Sequence, residues 1–153
     1  AITVSDGILD EGPRPAKILF NAEPMEIWRH HHFSIEELAD PNLESSLWGD
    51  LADGDGDGRR TLIEYALDTN PRSTIIEDDG VTIGNEGGSM VLTYRKIHDR
   101  TDIIYQVQAS SDLKTWVDSP DELFEALPEG EIRRVSIPLA SGEGNFLRLK
   151  VSR

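Results

Sequence analysis

The sequence predicts a mainly β protein: a small antiparallel β-sandwich preceded by short helices and a tight acidic loop. Three observations predict it. Four short runs after residue 73 alternate apolar with polar side chains, the period of strands with one buried face. Between residues 22 and 72 the apolar residues recur at helical spacing. The 13 Gly and 8 Pro of the 153 residues supply many turns between these runs.

Residues 1–21 read as two strands joined by a Pro-bearing loop. Ile2 and Val4 alternate with polar neighbours, Asp6-Gly7 is a turn signal, and Ile18, Leu19 and Phe20 follow Pro13 and Pro15. The segment 22–72 reads as helical. Pro24 suits the first turn of a helix carrying Met25, Ile27, Trp28 and Phe33. Ser34 followed by Glu37 is a capping box, opening a short helix that Pro41 stops. Leu62, Ile63, Ala66 and Leu67 form one apolar stripe from Thr61 to Asp68, ended by Asn70-Pro71. Residues 73–153 form the sandwich. Its strands are marked by Met90, Leu92 and Tyr94; by Ile103, Tyr105, Val107 and Ala109; by Val135 and Ile137; and by Leu147, Leu149 and Val151.

Charge narrows the partners. With 29 acidic against 15 basic side chains the net charge is -14, a field that repels phosphate backbones and anionic lipid and favours cations. Nucleic acid is therefore not an expected partner. No apolar run reaches membrane-spanning length, so membrane insertion is not expected either. The absence of Cys excludes disulfides, thiolate zinc sites and Cys nucleophiles. The chain opens Ala-Ile-Thr-Val without an initiator Met, as expected of a processed product or of a piece of a longer protein.

The pattern that carries chemistry is Asp53-Gly54-Asp55-Gly56-Asp57-Gly58-Arg59-Arg60-Thr61-Leu62-Ile63-Glu64, which fits D-x-D-x-D-G-x5-E without a gap. Calcium takes six to eight hard oxygens at roughly 2.3–2.6 Å. Asp53, Asp55 and Asp57 put three carboxylates inside one loop, and Gly58 allows the sharp turn. The carbonyl of Arg59 supplies the seventh position and Thr61 the ninth, directly or through water. Glu64, one turn into the next helix, brings two more oxygens. Four like charges at close quarters are costly, and a divalent cation relieves the cost. Magnesium suits the set less well because it keeps its waters. Arg60 occupies the position that is apolar in paired loops, and no second loop matches. The expectation is a single site with an affinity of about 10⁻⁴–10⁻³ M or somewhat tighter.

A resemblance follows from the order of several segments. These are Trp28-Arg29-His30-His31-His32-Phe33, Glu37-Leu38-Ala39-Asp40-Pro41, the acidic loop with Leu51-Ala52 before it, Leu62-Ile63-Glu64-Tyr65-Ala66-Leu67, and Thr69-Asn70-Pro71. The stretch from Tyr105 to Trp116 and the ending Phe146-Leu147-Arg148-Leu149 complete the series. Together they resemble a C-terminal module of large secreted proteins from bacteria of the Verrucomicrobia and Planctomycetes type. The loop also resembles those of dockerins and thrombospondin type 3 repeats. Gly54 departs from the Pro common there, and a dockerin carries two loops with Asp at the last position. The resemblance spans about residues 25–153. It implies a non-catalytic, calcium-binding module, extracellular or at the cell surface, with Asp53, Asp55, Asp57, the Arg59 carbonyl, Thr61 and Glu64 as ligands. Thr3 to Gly7 looks like the last strand of a cadherin-like or immunoglobulin-like repeat.

Other residues read as scaffold. Adjacent helical histidines point about 100° apart, so His30, His31 and His32 read as a helix face rather than one metal site. Trp28 and Trp48 read as core, and Trp116, after a turn at the end of a strand, is the best candidate for a carbohydrate platform. No nucleophile elbow, P-loop or H-E-x-x-H is present. The expected role is a monomeric calcium-stabilised structural or anchoring module. The alternatives are a calcium-dependent adhesion or carbohydrate-binding module, whose partner is a cell-surface protein or glycan, and a fragment of an extracellular hydrolase.

Overall fold

The computed structural model describes residues 22–75, 80–139 and 145–153. The strands expected within 1–21, with the Thr3–Gly7 resemblance, lie outside the described residues.

Helix α1 (Pro24–His32) starts with Pro in its first turn, where the missing N–H costs nothing, and buries Met25 and Trp28. It ends one residue early relative to the sequence pattern: Phe33 is the extended C-cap, and its N–H bonds the Arg29 carbonyl. The capping box forms as predicted. Ser34 Oγ accepts from the Glu37 N–H, and the Glu37 carboxylate accepts from the Ser34 N–H, opening α2 (Ile35–Ala39). A single π-helical turn, Glu44–Trp48, follows without a clear sequence signal. The acidic loop then leads into α3 (Thr61–Leu67), ended by Asp68 at φ 58.

The strands are β1 (Val81–Glu86), β2 (Ser89–Ile97), β3 (Ile104–Ser110), β4 (Val117–Ser119), β5 (Glu122–Leu127), β6 (Gly130–Pro138) and β7 (Phe146–Ser152). They form two antiparallel sheets, β1-β2-β6-β5 and β4-β3-β7, the predicted sandwich. The four strands marked by alternation (β2, β3, β6 and β7) are found where the sequence puts them. The three unmarked ones (β1, β4 and β5) are edge strands with mostly exposed residues, so no alternation was needed to build them.

Two cores result. One lies between the sheets and contains Leu92, Tyr94, Val107, Val135 and Leu147. The other lies beneath the helices and gathers Met25, Trp28, Phe33, Leu62, Tyr65 and Ala66 around Ile103. Tyr105 packs against both. Its ring stacks on Tyr94 at 5.7 Å and its hydroxyl donates to the Ala66 carbonyl at 2.7 Å, so one β3 side chain ties α3 to the sandwich. Asp102, just before β3, adds two more ties: it accepts from the Met25 N–H at the start of α1 and from the Tyr65 hydroxyl on α3. Among the described residues no helix is long and apolar enough to cross a membrane.

Candidate metal centre

The acidic loop is built by its own short-range bonds. Asp53 accepts from the N–H groups of Gly56 at 2.8 Å and Gly58 at 3.0 Å, Asp55 from Asp57 N–H at 3.1 Å, and Asp57 from Arg59 N–H at 2.7 Å. Each carboxylate thus curls the chain around itself. One oxygen from each of Asp53, Asp55 and Asp57 lies within 4.8 Å of the others. Gly58 adopts φ +92, as the sharp turn requires.

The mouth of the loop is clasped. The Ala52 carbonyl accepts both the N–H and the hydroxyl of Thr61, at 2.8 and 3.1 Å, and the Asp50 carbonyl accepts from Leu62 N–H. Thr61 is fully buried, so the residue expected at the ninth ligand position also closes the loop. The seventh-position oxygen that the pattern assigns belongs to the Arg59 carbonyl.

Gly54, the departure from the usual Pro, has a local cause. A Cβ there would sit 2.7 Å from the Leu47 carbonyl oxygen, so the loop can lie against the π-helical turn only if this residue is glycine.

Glu64 is the decisive residue. It is 1% exposed, and neither carboxylate oxygen has a hydrogen-bond partner. Asp55 Oδ2 is likewise buried and without a partner. Burial, and after it the charges of Asp55, Asp57 and Asp53, push the Glu64 carboxyl up to about 7. A buried carboxylate without partners is a costly object in a folded protein, and a bound cation removes the cost. Among the described residues only Asp53, Asp55 and Asp57 group closely enough to share an ion, and Glu64 stands outside that group; the oxygens offered are hard, with no imidazole or thiolate, a donor type that suits calcium better than zinc.

The other candidates are absorbed by the scaffold. Trp28 is core, stacking edge-on against Tyr65, and Trp48 lies under the Arg29 guanidinium, 5.3 Å from its ring centre. His32 packs on Trp28 at 4.5 Å, and burial lowers its pKa. Among the described residues the three histidines join no cluster of metal-ligating groups. Trp116 is covered by Arg148, whose guanidinium sits 4.0 Å over the ring while donating to Gln108 Oε1, so that face of the indole is already occupied.

No protein-family model matches the chain, and no curated protein is similar to it in sequence.

Proposed function

We propose that this chain is a calcium-binding structural or anchoring module of a larger secreted or cell-surface protein, in which one ion at Asp53, Asp55, Asp57, Arg59, Thr61 and Glu64 fixes the helical segment on the β-sandwich. One observation carries the reading: Glu64 holds two buried, unpartnered carboxylate oxygens within the field of three loop aspartates. The extracellular setting rests on the resemblance of the ordered segments from Trp28 to Leu149.

The mechanism is mechanical. In this reading the aspartates would supply oxygens from the N-terminal side of the loop and Glu64, outside the group the three aspartates form, would reach the ion from α3. A bound ion would neutralise the like charges and lock the start of α3. That helix carries Tyr65 and Ala66, which bond to Asp102 and Tyr105 on the β side. Order at the loop is thereby transmitted to the contact between helices and sheets.

The test is a thermal melt of the chain in calcium, magnesium or chelator, with Asp55→Ala alongside. An ion at ten to a hundred times its Kd adds roughly 1.5–3 kcal/mol. For a chain of this length that is a rise of about 5–10 °C. Calcium should raise the midpoint by this order, magnesium much less, and Asp55→Ala should not respond. Equal midpoints in calcium and chelator would refute the reading.

A further inference from the structure

An open groove of about 350 Å³ runs between α3 and the outer edge of β7. Four consecutive β7 residues, from Arg148 to Val151, line it. Consecutive residues point to opposite faces of a strand, so the groove follows the strand's edge rather than one of its faces. Among the described residues β7 pairs only with β3, which leaves the other row of backbone N–H and C=O groups along this edge outside any ladder. The opposite wall is apolar: Leu51, 70% exposed, with Leu62 and Ile63.

The groove is basic in an acidic protein. Arg60, Arg148 and Lys150 stand on its rim, and among the described residues none of the three has a carboxylate partner. Arg148 bonds the neutral Gln108. The one carboxylate in the groove, Asp50, is matched by Arg29 at 2.6 Å and Arg153 at 3.7 Å.

We propose that this edge is a docking site for an extended polypeptide segment that alternates acidic and apolar side chains, added to β7 as a fourth strand of its sheet. Such a segment places its carboxylates beside Arg148 and Lys150 on the outer face of the sheet. Its apolar residues fall on the inner side, against Leu51, Leu62 and Ile63, where Leu149 and Val151 already point. A second copy of this chain fits poorly: antiparallel self-pairing about Leu149 sets Arg148 opposite Lys150, and like charges directly opposite are destabilising. A sulfated glycan would match the cations but leave the apolar wall and the backbone edge unused. The proposal stands apart from the calcium reading, since the groove is defined without an ion.

The test is a titration of the chain, in millimolar calcium, with a labelled, end-blocked octapeptide alternating Glu with Val. Fluorescence anisotropy reports binding, and amide hydrogen exchange reports the edge. The expected result is saturable binding, slowed exchange along β7, and affinity lower by at least about tenfold for the Lys-for-Glu peptide and for the double variant Arg148→Glu/Lys150→Glu. Arg60→Glu, on the loop side and away from the strand pairing, should also weaken binding. Absence of saturable binding, equal affinity for the acidic and basic peptides, or a sulfated hexasaccharide binding more tightly with β7 exchange unaltered would each overturn the proposal.

Discussion

Glu64 concentrates the physics of the loop in one side chain. In the absence of a cation its raised pKa means that the folded state takes up a proton more readily than the unfolded chain, whose Glu titrates near 4.5. The penalty is therefore absent below about pH 4.5, grows through the window from 4.5 to about 7, and is full above it. A shift of this size corresponds to roughly 3 kcal/mol. In chelator, Glu64→Gln should melt higher than the parent at pH 8 and close to it at pH 5. In calcium at pH 8 the proposed site predicts the reverse order, because there the variant would lack a charged ligand. Melting midpoints in the four conditions check both signs. Gly54 is the second informative residue: Gly54→Ala forces a methyl against the Leu47 carbonyl and should cost about 1–3 kcal/mol in a denaturant titration.

At the scale of elements, α3 is the joint between the acidic loop and the sandwich. It is too short to be stable alone, so its order comes from packing and from bonds at its two ends. Arg100 Nε donates to the Tyr65 carbonyl at 2.9 Å, and its guanidinium lies 4.4 Å over the Tyr65 ring while pairing with Asp68. Tyr105→Phe removes the hydroxyl that reaches the Ala66 carbonyl and leaves that carbonyl without this donor. A loss of about 1–2 kcal/mol is expected by chemical denaturation, with α3 amides exchanging faster than those of β2 and β6. On the far side of the sandwich Asp121 makes a comparable joint, accepting from Tyr94 and from Arg133 at 2.7 Å across the mouth of the β5–β6 pair.

At the scale of the whole molecule, the two cores share Tyr105 and so are expected to melt together. Leu92→Ala, in the inter-sheet core, should cost about 2–5 kcal/mol, and Met25→Ala, beneath the helices, a similar amount. Both should lower a single transition seen by near-ultraviolet and far-ultraviolet circular dichroism. Separate transitions for the two probes would mean that the helical segment unfolds independently of the sandwich, and that the proposed ion would act on that segment alone.

Much of this architecture is legible in the amino-acid order, because the signals are local. Alternation at Leu92, Tyr94, Val107, Leu147 and Leu149 specifies strands with one buried face. Ser34 and Glu37 specify a helix start, and the spacing of Asp53, Asp55 and Asp57 brings three carboxylate oxygens together in one loop. The edge strands β1, β4 and β5 were not legible, since an exposed strand owes its shape to its neighbour's backbone rather than to its own side-chain pattern. Nor were the clasp of Thr61 on Ala52, the fit of Gly54 against Leu47, the Arg148 cover on Trp116, or the basic groove beside β7. Each joins residues whose proximity depends on how separate elements dock. The sequence by itself determined the close spacing of the three loop aspartates and which segments can bury a face. The tertiary structure alone decided that Glu64 would be buried without a partner, because desolvation is a property of everything packed around a side chain and not of the side chain itself.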